Sequence, residues 1–448
     1  MAFPSMKRYF DLWLARIRSL LKAAQGRPVA LVVLFGLSML NLCSEWPSDI
    51  ARPAFVDTLA AVGQWPWPRN RLASLIDAIA ALKPLTIGLD IYMPEPDQTS
   101  PDKVAGNLPK TAAALAAGLR ALPSHEAILA RSLRAAPTIL GAAALDHAAF
   151  ATSTDLRSAP ILVHGTDPLS HVQRFDYVLG SLPELQAAAH GQAMLSVALE
   201  QGVVRHIPLI TGLREKLVPN LPMEMLRLAT GSSAIDVFAD TSGVQPVGVA
   251  DVLVPTQPGG DIWLHFASIR STLSRYVSTR DILQGIVDPE RIRDKLVLVG
   301  LTGAGVTDMR TTALGELVPG IEIQAQVIET IFEGRFLRRL NWLKWAECAF
   351  IMTFGLLIIW YVPRPRSRFA VFIGVVPKGV AALGISLHLL NLLCCFFIFM
   401  RFGLLVDAAS IFIILSAVMG CFLSPALLRG DEQTRTEATH AQGRDGGR

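Results

Sequence analysis

The chain has 448 residues, of which 51% are hydrophobic and only 17% charged, with a mean hydropathy of +0.41. That is too apolar and too poor in charge for an ordinary soluble protein, so membrane spans are expected. A net charge of +4 is weak ground for nucleic-acid binding, because the basic residues collect beside the hydrophobic runs, where they report topology. The five cysteines (Cys43, Cys348, Cys394, Cys395, Cys421) all lie in or beside apolar runs, which excludes a disulfide framework or thiolate metal site in the polar middle of the chain.

Residues 1–28 read as a cytoplasmic basic segment. Phe10, Trp13, Leu14, Ile17 and Leu21 fall at helical spacing among Lys7, Arg8, Arg16, Arg18 and Lys22, the pattern of an amphipathic helix on a membrane surface or of a basic tail. A transmembrane helix is predicted at 29–46, ending near Trp46; no small-x-small cleavage site follows it, so it reads as an uncleaved anchor. Residues 47–340 form a polar/apolar mixture. Beyond them lie apolar runs predicted as transmembrane helices at 342–362, 379–400 and 404–423, with a basic loop at 363–378 and a polar, disordered tail at 424–448. Six Lys/Arg before residue 29, three in the loop "RPRSRF" and four in the tail place both termini in the cytoplasm, and residues 47–340 in the periplasm of an inner-membrane protein.

Within the exported segment, strands are predicted at 85–91, 137–143, 203–210, 261–266 and 295–300, and helices at 70–82, 124–135, 218–229 and 321–333. Alternation of this kind, with strands apolar along their length, predicts an α/β domain with a mainly parallel sheet covered on both faces, beside the four transmembrane helices. Ligands collect beyond the carboxyl ends of such strands.

Three groups of residues fall where strands should end. Asp90 is followed by Glu95, Asp97 and Asp102, acids that could hold a cation or polar ligand, or could cap a helix and solvate a proline-rich loop. "VGLTGAGVTDMRTT" sets a glycine-bearing turn after an apolar strand, with Thr302, Asp308 and Arg310; it lacks the ending of a phosphate loop and the spacing of a dinucleotide fingerprint. "GQWPWPRNR" forces Trp65 and Trp67 into extended conformations before Arg69. Their rings either border a binding edge or plug the core. The histidines are scattered without metal spacing, and no nucleophile elbow or cysteine nucleophile is present, so no metal, no cofactor and no enzymatic activity are expected. In the membrane segments, His388 and Asn391 lie three apart, where polar groups should face another helix or a partner. Ser416, Gly420 and Ser424 form a small-residue stripe suited to helix packing.

The stretches "DTLAAVGQWPWPRNRLASLIDAIAALKPLTIGLDIYMPEPD", "HEAILARSLRAAPTILGAA", "QGVVRHIPL" and "KLVLVGLTGAGVTDMRTTALGELVPGIEIQAQVIETIFEG", in this order, resemble the extracytoplasmic sensor domain CHASE, type two, over roughly residues 50–337. The resemblance implies an exported sensor domain followed by three closing spans and coupled to a kinase or cyclase output. The sequence departs from the family pattern at Ala313, where proline is usual, at Gln324, where histidine is common, and at Glu200-Gln201. About 25 residues follow Leu423, too few for a catalytic domain, so the output is expected from a separate partner. The expected partners are the membrane, a separate kinase, cyclase or envelope-complex subunit, an unknown small ligand and a possible second copy of the chain; no nucleic acid is expected. A structural component of a secretion or conjugation assembly is the alternative.

Overall fold

The computed structural model describes residues 65–195, 199–200, 202–268, 273–302, 308–334, 336–339, 342–361 and 379–417. The chain divides into two compact units, 49–338 and 1–48 together with 339–448. The predicted span at 29–46, the basic segment 1–28, the loop 363–378, residues 418–423 of the last predicted span and the tail 424–448 lie outside the described residues.

The main elements of the first unit run α1 (Arg69–Ala81), β1 (Thr86–Asp90), α2 (His125–Ala135), β2 (Thr138–Leu145), β3 (Ile161–Gly165), β4 (Gly191–Met194), α3 (Leu221–Thr230), β5 (Ile235–Asp240), β6 (Gly243–Val249), β7 (Val252–Pro255), β8 (Leu296–Gly300), β9 (Met309–Thr312) and α4 (Gly320–Glu333). α1 forms because Leu72, Leu75, Ile76 and Ile79 recur at the spacing of one helical face, and all four are buried. α2 is started by Ser124, whose hydroxyl accepts from the Ala127 N–H at 3.1 Å. α3 is started by Asn220 in the same way, at 3.1 Å from the Met223 N–H, and ends on Gly231 in the left-handed conformation at φ 69°.

β8, β1, β2 and β4 form a parallel sheet in that order. Its pleat sends Ile87 and Leu89 of β1 into one apolar cluster with α1 and α2. On the opposite face, Met225 of α3 and Ile328 of α4 cluster with Ile139 and Ala193. Gly88 is required there, since a Cβ would lie 2.5 Å from Met225 Sδ. Helices on both faces of continuous apolar strands are the arrangement the sequence pattern predicts.

The parallel sheet is only part of the architecture, which is mixed α/β with several mixed sheets. β7, β6 and β5 form an antiparallel meander, joined by β3 in parallel, and their inward Ile235, Val237, Val247 and Val254 build the largest apolar cluster together with α3 and α4. The sequence reading assigns no element between 230 and 260. It also expects 203–210 and 261–266 in the parallel sheet, and the structure corrects this. His206–Pro208 and Asp261–Trp263 pair with each other antiparallel, and Val203–Val204 pairs with β9. Short strands broken at Arg205 and beyond Trp263 lack the length to span the central sheet.

The second unit contains α5 (Leu343–Tyr361) and α6 (Gly379–Phe402), followed by the shorter apolar helix Ala408–Ala417. Among the described residues, one helix is long and apolar enough to cross a membrane, Gly384–Phe402. α6 ends on Gly403 at φ 63°, the tight turn expected of "RFG". Leu389, Leu390, Leu392, Leu393, Phe396 and Phe397 of α6 are exposed, as suits a surface facing lipid.

Candidate functional site

β1 ends on Asp90, the first polar group after four buried residues, in register with Gly300 at the end of β8. Both sit at the carboxyl ends of adjacent parallel strands. Gly300 allows the first turn of α4 to close over this end: a Cβ there would meet Ile321 Cδ1 at 2.5 Å and Asp90 Cβ at 3.2 Å. Just before β9, Asp308 Oδ1 accepts from Arg310 Nε at 3.0 Å and pairs with its terminal nitrogen at 2.9 Å. The Asp308 carbonyl accepts the Gly320 N–H at 2.9 Å, which fixes the start of α4 against this carboxylate.

Asp90, Asp308 and Arg310 therefore converge. Burial pushes the Asp90 carboxyl up to about 7, the Asp308 charge adds to the rise, and Arg310 opposes it. Asp308 and Arg310, by contrast, are more open to solvent, at 44% and 38% side-chain exposure, so their pair is hydrated on one side. The result is a partly buried carboxyl acted on by a second carboxylate and a guanidinium, placed where parallel sheets bind ligands. Thr302, two residues past Gly300, is exposed.

Space is tight around Asp308. A Cβ at Gly320 would collide with Asp308 Oδ2. Gly320→Ala is therefore expected to displace the carboxylate and to cost about 1–3 kcal/mol by overpacking. The denaturant midpoint of the purified chain measures this. An unchanged midpoint would mean that the Asp308 side chain swings aside freely.

The other sequence candidates gather at a second place. Asp97 Oδ2 accepts the Arg69 N–H at 2.7 Å and lies 2.8 Å from His125 Nδ1. Its Oδ1 accepts the Thr99 N–H at 2.8 Å and the Thr99 hydroxyl at 2.6 Å. Burial alone would raise this carboxyl, but the Thr99 hydroxyl, the Arg69 N–H, His125 and the Thr99 N–H outweigh it and hold it at about 2. Asp97 thus caps α1 from 28 residues away, in place of Pro68, which offers no side-chain cap. Of the two alternatives open for these acids, helix capping describes Asp97. Burial lowers the Arg69 guanidinium, with Asp97 and Glu126 pulling the other way.

Trp65 and Trp67 meet edge to face, with ring centroids 5.8 Å apart and planes at 64°. Both pack, partly buried, against the apolar cluster of α1 and α2. Their rings are placed as a plug for that core. Glu95 is exposed, and Asp102 accepts from the Ser100 hydroxyl at 2.7 Å. The charges acting on Arg69 come from Asp97 and Glu126, and those acting on Asp90 from Asp308 and Arg310, so the candidates fall into two separate electrostatic groups.

Sequence reasoning missed His125, Glu126 and Glu322. Glu126 Oε1 accepts the Asp97 N–H at 2.5 Å, holding the loop against the start of α2. Glu322, buried in the first turn of α4, accepts from the Tyr276 hydroxyl at 2.6 Å. Burial and then the Glu322 bond push the Tyr276 phenol up. An acid within the first turn of a predicted helix was the available signal for both glutamates. No group of three or more His, Cys, Asp or Glu placed to hold a metal occurs among the described residues.

In the second unit, His388 Nε2 lies 3.0 Å from the Ser416 hydroxyl, and its ring lies 4.2 Å from that of Phe412. Asn391 Nδ2 donates to the Ala408 carbonyl at 3.4 Å. These three candidates join α6 to the helix after it, the arrangement of interhelical polar contacts in an apolar surround. Gly420 and Ser424 lie outside the described residues.

No curated protein and no solved structure is similar to the chain at a significant level. CHASE2 domains are extracytoplasmic sensory domains of membrane proteins, in keeping with an α/β unit followed by an apolar helix long enough to cross a membrane. The CHASE2 domain family matches residues 48–360, well over half of the sequence, and the chain belongs to that family.

Proposed function

We propose that the chain is a multi-pass inner-membrane sensory or regulatory protein. Residues 47–340 lie in the periplasm, four helices cross the membrane and both termini are cytoplasmic. The exported domain responds to a ligand or partner and passes the change to a separate kinase, cyclase or envelope-complex subunit; the chain itself catalyses nothing. The observation that carries this reading is the partly buried Asp90, its carboxyl raised by burial and by Asp308, at the carboxyl ends of the parallel strands. A ligand that binds two shapes of this end unequally shifts the population between them.

Alkaline phosphatase fused after residue 200 is expected to be active, and fused after residue 440 inactive; the reverse pair overturns the topology. Copurification from native membranes is expected to retain a kinase or cyclase whose activity differs between wild type and Arg310→Ala. Purified chain that turned over a nucleotide or phosphate ester unaided would overturn the regulatory reading.

A second reading, a structural component of an envelope assembly, is favoured by one feature. The small sheet leaves Leu162 and Val163 of its edge strand β3, and Leu253 of β7, exposed. Exposed apolar residues on an unpaired sheet edge suit a permanent protein neighbour.

A further inference from the structure

We infer that the helical excursion 101–122 is a membrane-docking surface, held against the anionic headgroups of the bilayer that carries the chain's own spans. The inference rests on the reading of the chain as a membrane-tethered sensor and gives its exported domain a further contact with lipid.

The excursion is built to stand apart from the domain. It leaves after Ser100 and returns at His125, and these two residues are joined: the Ser100 hydroxyl accepts the His125 N–H at 3.0 Å. Asp97, 2.8 Å from His125 Nδ1, secures the same junction from the loop before it. Between the two ends lie the helices Pro101–Asn107 and Ala113–Arg120, which pack on one another. Ala105 of the first and Ala116 of the second are their buried residues.

The second helix reads "AALAAGLR", so every residue but Arg120 is alanine, leucine or glycine. A helix apolar on all sides is ordinarily buried. Here Leu115 is 58% exposed, and Leu122, just past the helix end, 53%. Ala113, Ala114, Ala117 and Gly118 are exposed as well, and Val104 of the first helix adds to the apolar surface. Charge decides what covers it. From Lys103 to Ser124 the chain carries Lys103, Lys110 and Arg120 and no acid. Lys110 and Arg120 are exposed, while Lys103 lies 3.5 Å from Asp102. At 3.6 residues per turn, Arg120 stands about 140° round the helix from Leu115. Leucines on one side and cations on the other are the composition of a helix lying in a membrane interface, with its apolar side in the acyl boundary and its cations among anionic headgroups. A second copy would set like charge against like, whereas anionic lipid complements it.

So short a segment binds lipid weakly by itself, but this one is tethered. From the end of α4 at Glu333 the chain reaches Leu343 of α5, a predicted span, ten residues on. That link extends at most about 35 Å. A tethered surface meets the bilayer at high effective concentration, so a modest affinity holds it there. The contact acts on the core at the base of the excursion, where Asp97 caps α1 and Ser100 meets the start of α2.

The experiment is photolabelling of the full chain in two kinds of lipid nanodisc, phosphatidylcholine alone and an equal mixture with phosphatidylglycerol. A trace lipid carries a diazirine near the head of one acyl chain, and labelled peptides are mapped by mass spectrometry. α6 serves as the positive reference in both discs, and β7, which exposes Leu253 on the small sheet, as the negative one. Peptides within 108–122 are expected to be labelled well above β7, and about fivefold or more in the mixed discs over phosphatidylcholine alone, since each basic residue near an anionic surface is a factor of about five. The double variant Lys110→Glu, Arg120→Glu is expected to lose this labelling about tenfold while α6 keeps its own. Both positions are exposed, and an unchanged thermal midpoint checks that the variant folds; if it does not, the wild-type comparison of the two discs decides alone. Labelling of 108–122 no higher than that of β7, or equal in both discs, would overturn the docking surface. Cover by a second copy or by another protein leaves the segment unlabelled and counts against it equally. If α6 too is unlabelled, the membrane reading fails, and the inference falls with it; if α6 alone is labelled, only the inference falls.

Discussion

Replacing Asp90 by asparagine is expected to stabilise the exported domain at pH 8 and to leave it unchanged at pH 3. The Asp90 carboxyl stands at about 7 in the folded chain against an ordinary value of 3.8. Below pH 3.8 both folded and unfolded forms hold the proton, and the group does not distinguish them. Between 3.8 and about 7 the unfolded chain releases its proton while the folded chain keeps it, so stability is lost as pH rises through this window. Above it the loss is complete, about 4 kcal/mol for a displacement of this size. Asparagine has the shape of the protonated form and cannot ionise. Thermal unfolding of the purified full chain at several pH values measures the effect; a domain of this size gains roughly 2–4 °C per kcal/mol. Parallel pH profiles for wild type and Asp90→Asn would show that Asp90 is solvated and unstrained.

Asp97→Ala is expected to act in the opposite direction. The side chain accepts four hydrogen bonds, from Arg69, His125 and two groups of Thr99. Its removal strips α1 of its cap and leaves the half-buried Arg69 without its nearest counter-charge. A cost of about 3–5 kcal/mol follows, as for breaking a buried ionic pair from one side. The carboxyl is held at about 2, so its contribution is present above 3.8 and is lost as pH falls through 2. Urea unfolding near neutrality is the measurement. A lowered midpoint with an unchanged slope marks lost stability, whereas a midpoint within about 0.5 kcal/mol of wild type is surface behaviour and would remove Asp97 from the framework. Together the two variants separate acids that "IGLDIYMPEPD" presents side by side: one restrains the folded state near neutrality, and the other holds it together.

The elements of the central sheet were legible because their signals are local. Leu72, Leu75, Ile76 and Ile79 repeat with the helical period whatever they pack against, and "LTIGLD" and "KLVLVG" are apolar runs too short for helices. The family resemblance was legible for the same reason, as an ordered series of short stretches. The small sheet was not read, although Ile235, Val237 and Ala239 alternate as a half-buried strand should. Its β3 lies some seventy residues from β5, and β6 carries two glycines and a proline. Strand propensity is a statement about neighbours, and those neighbours are set by the fold.

The sequence by itself determined the class of the molecule: an α/β lobe between apolar runs, the helices and parallel strands of its central sheet, and an Asp90 and an Asp308 near strand ends. Only the tertiary structure decided what each acid is for. A carboxyl group's behaviour follows from its desolvation and from the donors and charges within a few ångströms. Asp308 reaches Asp90 across more than two hundred residues of chain, and His125 reaches Asp97 across 28. Identical side chains thus became a partly buried group beside a second acid and a fixed helix cap, a difference that no spacing along the chain could carry.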